Sequence, residues 1–450
     1  MANDVSTPPS TGSAAAPALA RRLGALDATL IVMGGIIGAG IFVNPHVVAQ
    51  RVAYPAAVLG VWILGGLIAG VGALVYAELG AARPVVGGQY AFLRDAFHPV
   101  VAFVYGWSLL LVIQSGGMAA VAITFGRYLK TLVDLPLGED VLGALLLGVL
   151  VLVNLAGVRA GGTLQNVLMV LKVVAIAALI VAGLWVAPAA ALAAPPGAPV
   201  VPFDPLLALG AAMVPVLFAF NGYQTGAFVA GEMKNPRRDL PRGLLSGVAL
   251  VVLLYVGVAA ACLRVLGAPG LAAEGAPATA VMRAAWGSFG ARFIAVGIVL
   301  STAGFLAQNV LTAPRVYFAM ARDGVFFRGV GRLSRGTRAP TIAIVLQGAA
   351  AAAVALLGRY EQILNYAVSA DFIAFALVGV AVFVLRRREG TPAAFRIPGH
   401  PWTTIFFVLA NAITLVAMTV RFPGNSLTGF GLMLAGVPVY WLWARRGRRP

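Results

Sequence analysis

Residues 33–42 read MGGIIGAGIF, and residues 218–228 read FAFNGYQTGAF. Both stretches lie inside long apolar segments, yet the first carries four glycines and the second mixes glycine with Asn, Gln and Thr. Glycine costs a helix interior roughly 1 kcal/mol relative to alanine, and polar groups inside a bilayer need partners within the protein. The two stretches therefore predict two membrane helices that are interrupted near their middle.

Glycines in membrane helices also allow neighbouring helices to pack closely. We expect this purely structural use for Gly34 and Gly35. The next small residues form the run GAG at 38–40, and a polar interruption recurs in a later span. This recurrence favours an unwound segment with a function at residues 38–40.

The composition is that of a membrane protein. Of 450 residues, 60% are hydrophobic and 10% are charged, and the mean hydropathy is +0.93, whereas a soluble domain contains about 25% charged residues. Hydropathy predicts an all-α, polytopic membrane protein with about 12 transmembrane helices. The approximate limits of these spans are 27–50, 55–79, 97–129, 141–158, 163–187, 205–232, 241–266, 288–321, 340–358, 361–385, 402–420 and 426–444.

The formal charge of +17 is distributed in short basic clusters between the apolar segments, at 234–242, 322–338, 386–388 and 445–449. Cytoplasmic loops carry such an excess of Lys and Arg, so both termini are predicted to be cytoplasmic. A nucleic-acid-binding protein would gather its basic residues on one folded face. We therefore expect the lipid bilayer, and no nucleic acid, as a partner.

Two long, weakly apolar stretches point to an internal repeat. Residues 81–99 follow the second predicted span on the cytoplasmic side, and residues 267–287 follow the seventh on the outside. Equivalent positions on opposite sides are expected of inverted repeats, here 21–187 (helices 1–5) and 205–388 (helices 6–10). The remaining predicted segments are a disordered cytoplasmic tail at 1–20, helices 11–12 at 400–444, and a basic cytoplasmic tail at 445–450.

Several function classes lack the residues that they need. Cys262 is the one cysteine and the three histidines are scattered, so no metal site, no cofactor and no disulfide are predicted. A membrane enzyme would need clustered ionisable residues, and ATP-driven transport would need a nucleotide-binding loop; neither is evident. An ion channel, the non-transporter alternative, would need a pore-lining filter, and no filter motif is evident.

An unwound membrane segment exposes backbone groups that a continuous helix uses internally. Free N–H groups at the start of the second half-helix suit a carboxylate, and free carbonyls at the end of the first half-helix suit an ammonium group. Two such interruptions that face each other can therefore receive the α-carboxyl and α-amino groups of an amino acid. A secondary transporter of amino acids is the leading hypothesis.

Four stretches carry a family resemblance: GGIIGAGIF (34–42), YAELGAARPVVGGQYAFLRDAF (76–97), FAFNGYQTGAFVAGEMKNPRRDLP (218–241) and PRVYFAMARDG (314–324). With them the chain resembles the amino acid–polyamine–organocation superfamily, especially its amino-acid permeases and prokaryotic relatives of the L-type exchangers. The resemblance implies a leucine-transporter-like fold, with a five-plus-five inverted repeat and discontinuous helices 1 and 6. It also implies alternating access in a plasma membrane, with proton-coupled symport or amino acid exchange.

The resemblance also implies the site residues. It places Ile37, Gly38, Ala39, Gly40 and Ile41 around the carboxylate and amine of the substrate, with Phe218, Ala219, Phe220 and Asn221 on the sixth-span side. Phe218 is a candidate gate. Asn221 stands where many relatives have glycine, which adds a polar side chain and leaves the substrate preference open.

Lys172 lies near the middle of the fifth predicted span, where an unpaired ammonium is costly. Such a lysine can snorkel or bind a carbonyl. In the resembling family, a lysine at this place stands in for a sodium ion and bridges span five to the first interruption, which implies sodium-independent transport. A buried lysine can also exchange a proton, so Lys172 is the candidate coupling residue.

Asp371 is the other charge predicted inside the membrane, in span ten. It either faces the substrate pocket, where it would select an ammonium or join a proton path, or makes a hydrogen bond within the bundle. If Asp371 and Asn221 both face the pocket, a polyamine or other organic amine transporter becomes the alternative.

The other charged residues at the span ends have structural interpretations. Glu78 and Glu232 are expected to pair with the adjacent basic loops, or alternatively to form a cytoplasmic gate, and Arg315 is expected to bind carbonyls inside span eight. The loop at 131–140 lacks cysteine, so no disulfide-linked ancillary subunit is expected.

Overall fold

The computed structural model describes residues 21–52, 54–187, 205–357, 360–389 and 394–447. In this part of the chain the backbone is almost entirely helical, and its β-structure is the isolated bridge between Leu23 and Met233. The all-α prediction is confirmed. The predicted tail at 1–20 and the last three residues of the tail at 445–450 lie outside the described residues.

The α-helices are numbered in chain order. They are α1 (Ala25–Ile36), α2 (Gly40–Ala49), α3 (Pro55–Ala82), α4 (Gln89–Ala96), α5 (Pro99–Ser108), α6 (Gln114–Leu132), α7 (Glu139–Leu155), α8 (Val158–Trp185), α9 (Pro205–Phe220), α10 (Thr225–Phe228), α11 (Pro236–Ala273), α12 (Pro277–Thr312), α13 (Pro314–Arg322), α14 (Thr341–Leu357), α15 (Tyr360–Glu389), α16 (Trp402–Arg421), α17 (Pro423–Leu434) and α18 (Gly436–Gly447).

Seven helical segments of the described chain are long and apolar enough to cross a membrane, or eight if the bent pair α1–α2 is one span. A π-helical turn at Leu109–Ile113 joins α5 and α6 into the third predicted span. Helices α7, α9 and α14 lie at further predicted spans but have only 17, 16 and 17 residues. The structure thus shows a polytopic helical protein, and the count of about 12 spans stays a prediction.

Both predicted interruptions are present. Helix α1 ends at Ile36, Ile37 is extended, and α2 starts at Gly40 after a bend of 47°. Helix α9 ends at Phe220, and a turn leads into the short helix α10. Residues 31–38 are all buried, so the first interruption lies in the protein interior. Helices α8, α10, α11 and α12 surround it.

The two stretches predicted as weakly apolar connections contain helices. Helix α4 lies within 81–99, and α11 and α12 extend into 267–287. Helix α11 kinks at Gly267, whose φ of 66° is a conformation that glycine adopts without strain. The low hydropathy of these stretches indicated where the membrane spans end, but it did not exclude helices outside the spans.

Candidate functional site

The two interruptions touch each other through their backbones. Gly222 has a φ of 121°, and a Cβ there would overlap the carbonyl group of Gly35. A Cβ on Gly35 would lie 2.5 Å from Oγ1 of Thr225, and one on Gly34 would lie 2.7 Å from Nε2 of Gln165. The packing role predicted for Gly34 and Gly35 fits this geometry, because no side chain has room at the contact.

The carbonyls at the end of α1 already accept hydrogen bonds from protein side chains. Tyr255 donates to the Ile36 carbonyl at 3.1 Å, and Ser301 donates to the Gly38 carbonyl at 3.0 Å. Lys172 donates to the Ile37 carbonyl at 2.7 Å. The expectation that these carbonyls are free for an ammonium group is therefore corrected, because the folded bundle brings donors to them.

The start of α2 keeps its capacity to bind an anion. Its first turn begins at Gly40, and N–H groups in a first turn have no intrahelical acceptors. Ala39 and Gly40 are partly exposed, whereas Ile37 and Ile41 are fully buried, so these two isoleucines face the core. A Cβ on Gly40 would lie 3.4 Å from Cβ of Ala219, which places the end of α9 beside the start of α2.

Lys172 points into the bundle and binds carbonyls. Its side chain is fully buried, whereas Leu171 and Val174 on the same helix are 41% and 55% exposed. Its Nζ lies 2.7 Å from the Ile37 carbonyl and 3.4 Å from the Gly34 carbonyl. Of the two structural alternatives, snorkelling is excluded and carbonyl binding is observed. The ammonium connects α8 to the first interruption, as the resemblance implied.

A chain of hydrogen bonds connects the second interruption to Asp371. The Gly222 N–H donates to Oε1 of Gln224, and Nε2 of Gln224 donates to Oδ1 of Asn221, both at 3.0 Å. Nδ2 of Asn221 donates to Oδ2 of Asp371. Asp371 is buried on α15 and contacts the polar side chain of the interruption. Its other oxygen, Oδ1, has no hydrogen-bond partner among the described residues.

The aromatic residues before the second interruption differ in their surroundings. Phe218 is partly exposed, and its role as a gate stays a prediction. The ring of Phe220 is buried in a cluster with Tyr255 and Trp62, at centroid distances of 5.0 and 5.9 Å. Its ring thus has packing partners from α3 and α11.

Sequence reasoning missed polar residues that other helices bring to the interruptions. They are Tyr255, Ser301 and Gln308. Gln308 donates to Oγ1 of Thr225 at 2.8 Å, and Thr225 donates to the Gly222 carbonyl at 2.6 Å. Polar residues inside apolar spans were the available signal, because such residues need partners within the protein.

Two buried carboxylates pair with arginines from distant parts of the chain. Arg315 binds both carboxylate oxygens of Glu232, at 2.8 and 3.4 Å, and also the Leu311 carbonyl. The expected pairing of Glu232 with a basic loop is wrong, since Arg315 on α13 is its partner. Glu78 pairs with a basic cluster, but not with the adjacent loop as expected. Its partner Arg386 lies in the last turn of α15, 308 residues away, and binds it in two bonds of 2.6 Å.

Further contacts join α4 to Asp323, the residue that follows α13. Tyr90 donates to Asp323 at 2.9 Å, and Arg94 pairs with the same carboxylate at 2.6 Å. Burial and the neighbouring Asp323 carboxylate raise the pKa of the Tyr90 phenol, so it remains a donor at neutral pH. A cavity beside the Glu232–Arg315 pair is also lined by Asp27.

The Glu232–Arg315 pair provides a prediction for stability. In Glu232→Gln the Arg315 guanidinium, only 1% exposed, would lose its counter-charge. Breaking a buried ion pair costs about 3–5 kcal/mol, so we expect a clearly lower thermal unfolding temperature in detergent. Glu139→Gln is the matched control, because its pair with Arg127 is exposed and such pairs contribute about 0–1 kcal/mol. Equal effects of the two substitutions would contradict the prediction.

Comparisons with known proteins give a consistent result. The family model described as Amino acid permease matches residues 23–443. The serine/threonine exchanger SteT of Bacillus subtilis (strain 168) is 31% identical over 439 residues, which cover 95% of this chain and 98% of SteT.

Other relatives cover similar shares of the chain. The branched-chain amino acid permease BcaP of Bacillus subtilis (strain 168) is 28% identical over 457 residues, or 95% of this chain and 94% of BcaP. The human large neutral amino acids transporter small subunit 2 is 28% identical over 440 residues, or 94% of this chain and 81% of that protein.

Proposed function

Because this chain belongs to the amino acid permease family, we propose that it is a sodium-independent secondary transporter of amino acids in the plasma membrane. Its relatives are amino acid transporters and exchangers, and they are not enzymes. We further propose that about 12 spans form a leucine-transporter-like five-plus-five inverted repeat. Both termini would be cytoplasmic, as the charge distribution indicates.

The observation that carries this proposal is the direct contact between the two interrupted helices. The N–H groups at residues 38–41, at the start of α2, would bind the substrate carboxylate, since unpaired N–H groups and the positive helix end favour an anion. The α-ammonium would bind on the α9 side, at carbonyls of residues 218–221, because Tyr255, Lys172 and Ser301 occupy the carbonyls of the α1 side. Phe218 would cover the bound substrate.

Lys172 supports sodium independence. Its ammonium occupies a place between the Gly34 and Ile37 carbonyls, where oxygen ligands could otherwise bind a small cation. A positive charge there removes the need for an added ion. The same group is the candidate for a coupling proton, so proton symport and amino acid exchange are both retained in the proposal.

The ion pairs at the cytoplasmic end are proposed to act as a gate. Glu232–Arg315 and Glu78–Arg386 join segments that are distant along the chain. Alternating access requires that such contacts separate when the site opens to the cytoplasm.

A disulfide-linked ancillary subunit is not part of the proposal. The human relative is named a small subunit, but here Cys262, the one cysteine, is fully buried.

Uptake of labelled amino acids into proteoliposomes tests the proposal. Sodium, the proton gradient and the internal amino acid are varied separately, and protein-free liposomes are the control. We expect uptake that does not depend on sodium and responds to pH or to internal substrate. A strict sodium requirement would overturn the role of Lys172. Uptake of amines or polyamines without any amino acid would establish the alternative that the Asn221–Asp371 contact favours.

A further inference from the structure

Asp371 differs from the other buried carboxylates of the described chain. Glu78 and Glu232 each pair with an arginine. Asp239 lies in the first turn of α11, where it accepts the Asn235 N–H and meets the positive end of the helix. Asp371 is 2% exposed, lies within α15, and has a neutral amide as its hydrogen-bond partner in the described residues. A carboxylate in such a place needs a cation or a proton.

The hydrogen-bond chain from Gly222 decides which way the amides point. A backbone N–H can only donate, so the Gln224 atom that faces Gly222 must be the amide oxygen. The amide nitrogen of Gln224 then faces Oδ1 of Asn221, and the Asn221 nitrogen faces Asp371. Oδ2 of Asp371 is therefore an acceptor. Oδ1 stays buried with its lone pairs unused in the described part of the chain.

Three aromatic rings that pack against one another belong to α3, α15 and the second interruption. Phe375 follows Asp371 by one turn of α15. The ring of Tyr223, in the second interruption, stacks on the ring of Phe375 with a centroid distance of 5.5 Å. Tyr76 of α3 approaches Tyr223 at 5.6 Å and Phe375 at 6.2 Å. Its buried hydroxyl also lacks a partner among the described residues. The Tyr76 hydroxyl and Oδ1 of Asp371 are thus two buried polar groups without partners among the described residues.

The charges of the proposed site and of the substrate indicate the substrate class. A zwitterionic amino acid brings one negative and one positive group, and the two interrupted helices supply backbone partners for both. Asp371 adds one fixed negative charge to this balance. Lys172 does not contact it, because its ammonium is bound to carbonyls of α1. A substrate with a second positive group would neutralise Asp371.

We infer that Oδ1 of Asp371 accepts the side-chain ammonium of the substrate, so that the carrier selects cationic amino acids over neutral ones. Asn221 is the positioning residue, since its amide holds the other carboxylate oxygen. This inference rests on the proposed function and names the substrate class of the same site.

Competition between ornithine and norleucine tests the inference, because the two differ mainly by a terminal ammonium in place of a methyl group. Both are supplied as labelled substrates to proteoliposomes with the full-length protein. We expect the wild type to prefer ornithine by ten- to a hundredfold, on the order of what a hydrogen bond to a charged group contributes. Asp371→Asn should lower the ratio of ornithine uptake to norleucine uptake by at least tenfold. Asp371→Glu, the matched control, should keep the preference for ornithine.

The other outcomes are distinguishable. A wild type that prefers norleucine overturns the inference. This result needs no variant, so the inference can be tested even if the Asp371 variants do not fold. Equal loss of both substrates in Asp371→Asn, together with loss of the pH dependence, would make Asp371 a proton site and also overturn it. A wild type that transports no amino acid would instead refute the proposed function itself.

Discussion

Uptake by a Lys172→Met variant is expected to fall by ten- to a hundredfold or more relative to the wild type. The substitution keeps an unbranched side chain as far as Cε but removes the ammonium that binds the Ile37 and Gly34 carbonyls. A hydrogen bond to a charged group contributes about 1.5–3 kcal/mol, and each 1.4 kcal/mol is a factor of about ten. Without this bond, α8 no longer holds the first interruption. The measurement is the initial rate in proteoliposomes per amount of inserted protein.

Two comparisons make this result specific. Lys130→Met removes a lysine that is exposed at the end of α6, and we expect its uptake to equal that of the wild type. In the smaller variant Lys172→Ala, added sodium should restore part of the uptake, because the vacated carbonyls offer oxygen ligands to a cation. Unchanged uptake by Lys172→Met would refute the role of this residue in transport.

The second large effect is expected for Gly222→Ala, which should be inactive and less stable. The new Cβ would overlap the Gly35 carbonyl, and both groups belong to backbone that cannot rotate away. The φ of 121° adds strain for any residue with a side chain, of about 1–3 kcal/mol. The two interrupted helices would have to separate, so both uptake in proteoliposomes and the thermal unfolding temperature in detergent should fall.

Gly210→Ala is the matched control for this substitution. It lies on α9, the helix that leads to Gly222, and a Cβ there meets no atom within 4 Å. Alanine is the better helix former by roughly 1 kcal/mol, so stability should be equal or slightly higher. If Gly222→Ala and Gly210→Ala had the same thermal unfolding temperature and the same uptake rate, the backbone contact between the two interruptions would not matter for function.

Local chemistry explains what could be predicted. The charged fraction of 10% requires a membrane environment whatever the fold, and glycines and polar residues weaken a membrane helix at the place where they stand. The interruptions at residues 33–42 and 218–228 could therefore be located from the residues themselves. The motifs around them also indicated the family to which the chain belongs.

Several errors have one cause in common, which is that partners distant in sequence were not visible. Glu232 was expected to pair with a nearby basic loop, yet its partner Arg315 lies 83 residues further along the chain. The carbonyls at the end of α1 were expected to be free, yet Tyr255 and Ser301 reach them from α11 and α12. Charge and polarity in the sequence show that a group needs a partner, but they do not identify it.

By itself, then, the sequence determined the membrane setting, the helical class, the two interruptions and the residues that carry unusual charge. Only the tertiary structure decided that Lys172 binds the Ile37 carbonyl, 135 residues away, and that Asp371 meets Asn221, 150 residues away. The physical reason is that hydropathy and helix propensity are local properties of a segment. Which donor meets which acceptor depends on how the helices pack across the whole chain.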